Sequence, residues 1–172
     1  MKLAASVSAY ALAILTANYL TSSHGLVPVG FGLLVTAGTF SAGLALLARD
    51  FVHRYGGPSW AVVAIAAGGL MSWLLATPAL AVASTVAFVG AEVVDLAIYA
   101  PICRRYGFAP AAITSNVVSA PLDTVLFLHL AGFGVTWGAV AGQFIGKVAW
   151  ATLLPLALWM LASAVLRKPQ HA

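Results

Sequence analysis

Six apolar stretches, each long enough to cross a lipid bilayer, take up most of this chain: residues 3–20, 27–48, 60–76, 80–102, 108–130 and 138–166. A hydrocarbon core of about 30 Å needs about 20 apolar residues in a helix, so each stretch reads as one transmembrane helix. The connections are too short to hold a separate domain, and the 172 residues form one all-α unit, a polytopic membrane bundle of six helices. Only 7% of the residues are charged, against about 25% in soluble domains. The mean hydropathy of +1.01 belongs to the whole chain, which excludes a soluble protein and also a soluble domain on a single anchor. The first stretch carries Ser6, Ser8, Thr16 and Asn18 and no processing site follows it, so it reads as a helix and not as a signal peptide. Pro121 and Pro155 fall inside the fifth and sixth stretches, where they predict kinks.

The basic residues test this division, because they should collect in alternate loops. Lys2 precedes the first helix, and Arg49 and Arg54 lie in the polar segment 49–57, whose glycines read as a helix-ending loop. Arg104 and Arg105 lie between the fourth and fifth helices, and Arg167 and Lys168 follow the sixth. Seven of the eight Lys and Arg residues thus share one side, which predicts a cytoplasmic (inner) membrane protein with both termini in the cytoplasm. On this reading the net charge of +4 is a topology signal and not a nucleic-acid surface. Cys103 is the single cysteine, so the chain contains no intramolecular disulfide.

Four ionisable groups fall where the bilayer should exclude them: Glu92 and Asp95 in the fourth stretch, Asp123 in the fifth and Lys147 in the sixth. Each opposes insertion by about 2.5–3.5 kcal/mol at a helix centre. Glu92 and Asp95 are three apart and share a helical face with Ser84, Phe88 and Tyr99. Asn116, Ser119 and Asp123 repeat the pattern on the fifth helix, and Gln143, Lys147 and Trp150 on the sixth. At about 1.5 Å per residue, the depths from the non-cytoplasmic end are roughly 10 Å for Asp123, 14 Å for Lys147, 18 Å for Glu92 and 22 Å for Asp95. The four groups are therefore expected to converge on one central cavity. A buried ion pair of Lys147 with Asp123 or Glu92 explains one pair only. Three carboxylates and one ammonium leave two negative charges unbalanced, so either carboxylates are protonated or a ligand supplies donors.

A carboxylate accepts two parallel N–H bonds, which suits a guanine-like edge presenting a ring N–H and an exocyclic amine. Gln143, Asn116 or Lys147 could serve a ring carbonyl, and Phe40, Phe88, Tyr99 or Trp150 could stack on the ring. A small, planar, purine-like substrate fits this chemistry, and so do amino acids, amines and protons. His24, His53, His129 and His171 are dispersed, and the chain has no HExxH motif or GxSxG elbow, so neither a metal site, a cofactor nor an enzyme activity is expected.

The run Ala83-Ser84-Thr85-Val86-Ala87-Phe88-Val89-Gly90-Ala91-Glu92-Val93-Val94-Asp95, continuing to Tyr99, resembles a signature of the VUT family of small six-helix membrane proteins. Ser115-Asn116, Asp123-Thr124 and Leu126-Phe127 are similar to the family's fifth helix, and Gln143, Gly146 and Lys147 to its sixth. Arg49-Asp50 with Tyr55-Gly56 resembles the loop after its second helix. The matches run in order over roughly residues 37–150; Glu92 stands where glutamine is frequent, and Ser41 where proline is frequent. The resemblance implies uptake of queuosine precursors, 7-deazaguanines such as 7-cyano-7-deazaguanine, 7-aminomethyl-7-deazaguanine or queuine, and it marks Glu92 or Asp95 as the partner of the guanine-like edge. An alternative is the substrate-binding subunit of an energy-coupling-factor vitamin transporter, which needs an ATPase module. Partners compatible with such a chain are membrane lipid, a second copy of itself and an energy-coupling partner, the last docking on a stripe such as Ala13 and Ala17.

Overall fold

The computed structural model describes residues 1–166. Arg167 and Lys168, assigned above to the cytoplasmic side, lie outside the described residues. The chain forms α1 (Lys2–His24), a hairpin of β1 (Leu26–Gly30) and β2 (Leu33–Thr36), α2 (Thr39–Gly56), α3 (Pro58–Leu75), α4 (Pro78–Tyr106) and α5 (Phe108–Leu130). A last rod combines α6 (Trp137–Phe144), a π-helical segment π1 (Ile145–Leu153) and α7 (Leu154–Leu166). Five helices are long and apolar enough to span a bilayer: α1, α3, α4, α5 and the last rod. This is a multi-pass, all-α membrane protein with a small hairpin appended.

The second stretch departs most from the expected span of 27–48. Its first part is the antiparallel hairpin, and the helix begins only at Thr39. Pro28 has no N–H to give a helix, Gly30 and Gly32 have positive φ, and Val27, Val29 and Val35 favour extended backbone. Phe31 and Gly32 form the two-residue turn with φ of 56° and 72°, the sign that strand twist favours at a tight hairpin. The hairpin lies against α6 at Gly142, where an added Cβ would sit 3.0 Å from Val35. Val29 and Val35 turn one face of the hairpin into the protein, and Leu26, Phe31 and Leu34 stay exposed.

The same helix also ends later than expected. Arg49 and Asp50 are helical and fully buried, and α2 continues to Gly56 before Gly57, at φ 82°, turns the chain into α3. Gly107, at φ 88°, makes the matching one-residue turn between α4 and α5. Arg54 on α2, and Arg104 and Arg105 on α4, stand in last turns, where a cation complements the helix dipole. Lys2 lies 5.7 Å over the Tyr55 ring, and Arg54 lies over Phe108 and Trp159, which gathers these cations at one end of the bundle, the basic end.

Pro155 acts through helix widening. It cannot donate to the preceding turn, and the nine residues before Leu154 take the wider π register, with Leu154 N–H bonding Ala149 C=O five residues back. The Thr152 hydroxyl donates to Lys147 C=O at 2.9 Å within this segment. Around Pro121, α5 continues unbroken. Close helix contacts rest on small residues: a Cβ on Gly43 of α2 would lie 2.7 Å from both Lys147 Cα and Ala151 Cβ of π1. Because α2 also meets α1, α3, α4 and α5, it is the central helix, which explains why it is the least apolar of the set.

Candidate functional site

All four acidic residues of the chain, Asp50, Glu92, Asp95 and Asp123, sit inside the bundle, and the outer surface is a belt of exposed Leu, Val and Trp. The acids form two groups. In the first, Lys147 Nζ, presented by π1, donates to Asp123 Oδ2 of α5 at 2.5 Å and to Thr124 Oγ1 at 2.8 Å. Lys147 is 2% exposed and Asp123 16%. Asp123 is the more open because the pair forms part of the wall of a cavity of about 70 Å³, room for roughly five waters.

Polar side chains line this cavity from almost every element. Asn18 and Thr21 come from α1, Thr39 from α2, Ser72 from α3, Ser84 from α4 and Gln143 from α6. Phe88 and Phe127 supply aromatic faces, and Gly38 and Ala42 keep the α2 wall low. Asn18 spends its amide on Ile14 C=O at 3.0 Å, and Thr36 and Thr39 hydroxyls pair at 3.0 Å. The cavity thus offers a cation, a carboxylate, a carboxamide, hydroxyls and two rings around a space the size of a small ring system.

The second group lies one helical turn farther toward the basic end. Ala45 and Phe88 line the cavity, and four residues on from each stand Arg49 and Glu92. Arg49 Nε donates to Glu92 Oε2 at 2.8 Å, Nη1 lies 3.0 Å from Asp50 Oδ1, and Nη2 pairs with Asp95. Ser119 Oγ donates to Asp95 Oδ1 at 2.7 Å. All four charged residues are 0% exposed. The Tyr99 ring lies 5.5 Å from the Arg49 guanidinium, and its hydroxyl donates to Asp50 C=O at 3.4 Å.

Of the nine residues expected at the site, Phe88, Asp123, Gln143 and Lys147 line the cavity. Glu92, Asp95 and Tyr99 gather on Arg49. Asn116 donates to Thr152 Oγ1 at 3.3 Å, holding α5 to π1. Phe40 is half-buried in the first turn of α2, apart from the cavity lining, and Trp150 is exposed on the outer face. The two charged groups keep the order of the depth estimate, Asp123 and Lys147 together and Glu92 with Asp95 beyond them.

Arg49 and Asp50 are corrections. The segment 49–57 reads as a polar loop, yet Arg49 is a buried partner of three carboxylates and not a topology signal. Two signals pointed inward: the carboxylates lacked a cation, and Ser41, Ala45 and Arg49 recur every four residues on one helical face.

Residues 4–161 match the model of a protein family described as "Putative vitamin uptake transporter". The chain belongs to this family. The match spans every element that bounds the cavity and both charged groups, so the site sits within the family's common frame. No curated protein and no solved structure matches the chain.

Proposed function

We propose that this member of the vitamin-uptake family is a transporter in the cytoplasmic membrane, both termini inside, that imports 7-deazaguanine precursors of queuosine. The observation that carries this reading is the Asp123–Lys147 pair on the wall of a small polar cavity that also holds Gln143 and Phe88. Asp123 Oδ1 and Oδ2 can accept the paired N–H groups of a guanine-like edge. Lys147 or Gln143 serves the ring carbonyl, and Phe88 or Phe127 covers a face of the ring. Asp123 takes this role in place of Glu92 or Asp95 because it lines the cavity, whereas those two are fully buried on Arg49 behind it. The gathering of Lys2, Arg54, Arg104 and Arg105 at one end supports the orientation.

The test is the queuosine content of tRNA in a host that lacks both precursor synthesis and its own importer, expressing this chain and fed nanomolar 7-cyano-7-deazaguanine. Restored queuosine supports import. Its absence, with the protein verified in the membrane, counts against this substrate. Uptake by purified protein in vesicles without any ATPase separates a stand-alone transporter from a subunit that depends on an energising module.

A further inference from the structure

Behind the cavity, the group around Arg49 has an imbalance that hydrogen bonding does not remove. One guanidinium faces Asp50, Glu92 and Asp95, all without solvent exposure. If the three acids were ionised, the cluster would carry two uncompensated negative charges, and the neighbouring Lys147–Asp123 pair, neutral as a unit, offers no relief. Unpaired charge in a dry interior is removed most simply by binding protons.

The oxygens indicate where the protons go. Asp95 accepts from Ser119 and pairs with Arg49, so it is the acid best held as an anion. Glu92 Oε1 and Asp50 Oδ2 are buried with no hydrogen-bond partner. Beside Glu92 stands the buried Tyr10 hydroxyl of α1, which can donate to the ionised carboxylate and accept from the protonated carboxyl. The other ionisable groups around the cluster are Tyr99 and Cys103 of α4, His53 stacked edge-on against Tyr99, and Asp123 of α5; α3 brings none. None of these supplies a second buried cation to the three acids.

We propose that Arg49, Asp50, Glu92 and Asp95 form a proton-binding site, with Glu92 and Asp50 as the groups that load and unload, and that this site couples uptake to the proton gradient. Each loading step is the addition of one proton to one carboxylate oxygen. Glu92 stands one turn from Phe88 and the cavity, whereas Asp50 follows Arg49 on α2, farther toward the basic end. The cluster also ties α2 to α4, two walls of the cavity; unloading sets three anions against one cation and drives those walls apart. The coupling rests on the transport reading above, but proton binding does not.

The closing experiment has a substrate-free arm and a transport arm. In the first, infrared spectra of the full-length protein in lipid vesicles are recorded across the pH range where an ordinary carboxylate is ionised. A deuterium-sensitive C=O stretch of protonated carboxyl is expected, reduced in Glu92→Gln and in Asp50→Asn. These two variants should keep the wild-type melting temperature, because a neutral amide stands in for a neutral acid, whereas Asp95→Asn should melt lower. No such band in wild type, or marked destabilisation by both Glu92→Gln and Asp50→Asn, overturns the proton site and leaves an ionised structural cluster. In the second arm, 7-cyano-7-deazaguanine uptake into vesicles should rise at least tenfold with an outside-acid gradient. Asp50→Asn should retain exchange and lose that rise. Uptake indifferent to the gradient overturns the coupling. No uptake at all speaks against the transport reading, and the infrared arm then decides the proton site by itself.

Discussion

Asp123 and Lys147 compensate each other on the cavity wall, and each is the other's nearest opposite charge. Truncating either one strands a charge in a low-dielectric site, which typically destabilises by about 3–5 kcal/mol, whereas removing both leaves no stranded charge. Asp123→Ala and Lys147→Ala should therefore each lower the melting temperature, and the double variant should be more stable than the sum of the single losses. All three should lose uptake by at least about a hundredfold, the equivalent of two charged hydrogen bonds to substrate at roughly 1.5 kcal/mol each. Melting in detergent alongside vesicle uptake separates the two effects. A double variant that still transports would remove this pair from the site.

Between elements, the contact that sets the geometry is the one between α2 and π1. Gly43 lets α2 lie on the backbone of Lys147, and the π turn ahead of Pro155 aims that lysine across to α5. A methyl group on Gly43 would meet backbone atoms 2.7 and 2.8 Å away, which cannot yield as a flexible side chain would. Gly43→Ala should cost about 1–3 kcal/mol, read as a lower melting temperature, and should weaken uptake by displacing Lys147. This part of the molecule was only partly legible in the sequence. Length and hydropathy sufficed for α1, α3, α4, α5 and the last rod, because a bilayer imposes the same requirement on each. They failed at α2, where burial among other helices replaces lipid contact, so Arg49 and Asp50 could be helical despite their charge. The hairpin was hidden for a related reason: a run of Val, Leu and Gly is equally apolar as helix or strand, and only Pro28 and the glycines distinguish the two. At the site, helical spacing grouped Glu92 with Asp95, but which carboxylate reaches the cavity depends on the packing of α2, which no spacing within one helix reveals.

At the scale of the molecule, the topology can be read from outside. Ser59, at the start of α3, and Thr136, before α6, are both exposed and lie at opposite ends of the bundle. In a Cys103→Ser background, Ser59→Cys should react with a membrane-impermeant maleimide only in inverted vesicles and Thr136→Cys only in intact cells; the reverse pattern would invert the assigned orientation. The enclosure of every acidic side chain has its own outcome at the membrane surface. The formal charge of +4 is a sum over groups that water and headgroups do not meet equally, since all four acids and two of the eight bases, Arg49 and Lys147, face one another inside. Among the described residues, the bases turned toward the surroundings are Lys2, Arg54, Arg104 and Arg105, with no acidic side chain beside them to offset their charge. Such a molecule selects its own lipid annulus: phosphatidylglycerol should be retained over phosphatidylcholine through purification, by about 1 kcal/mol for each base near the surface, and high salt should release it.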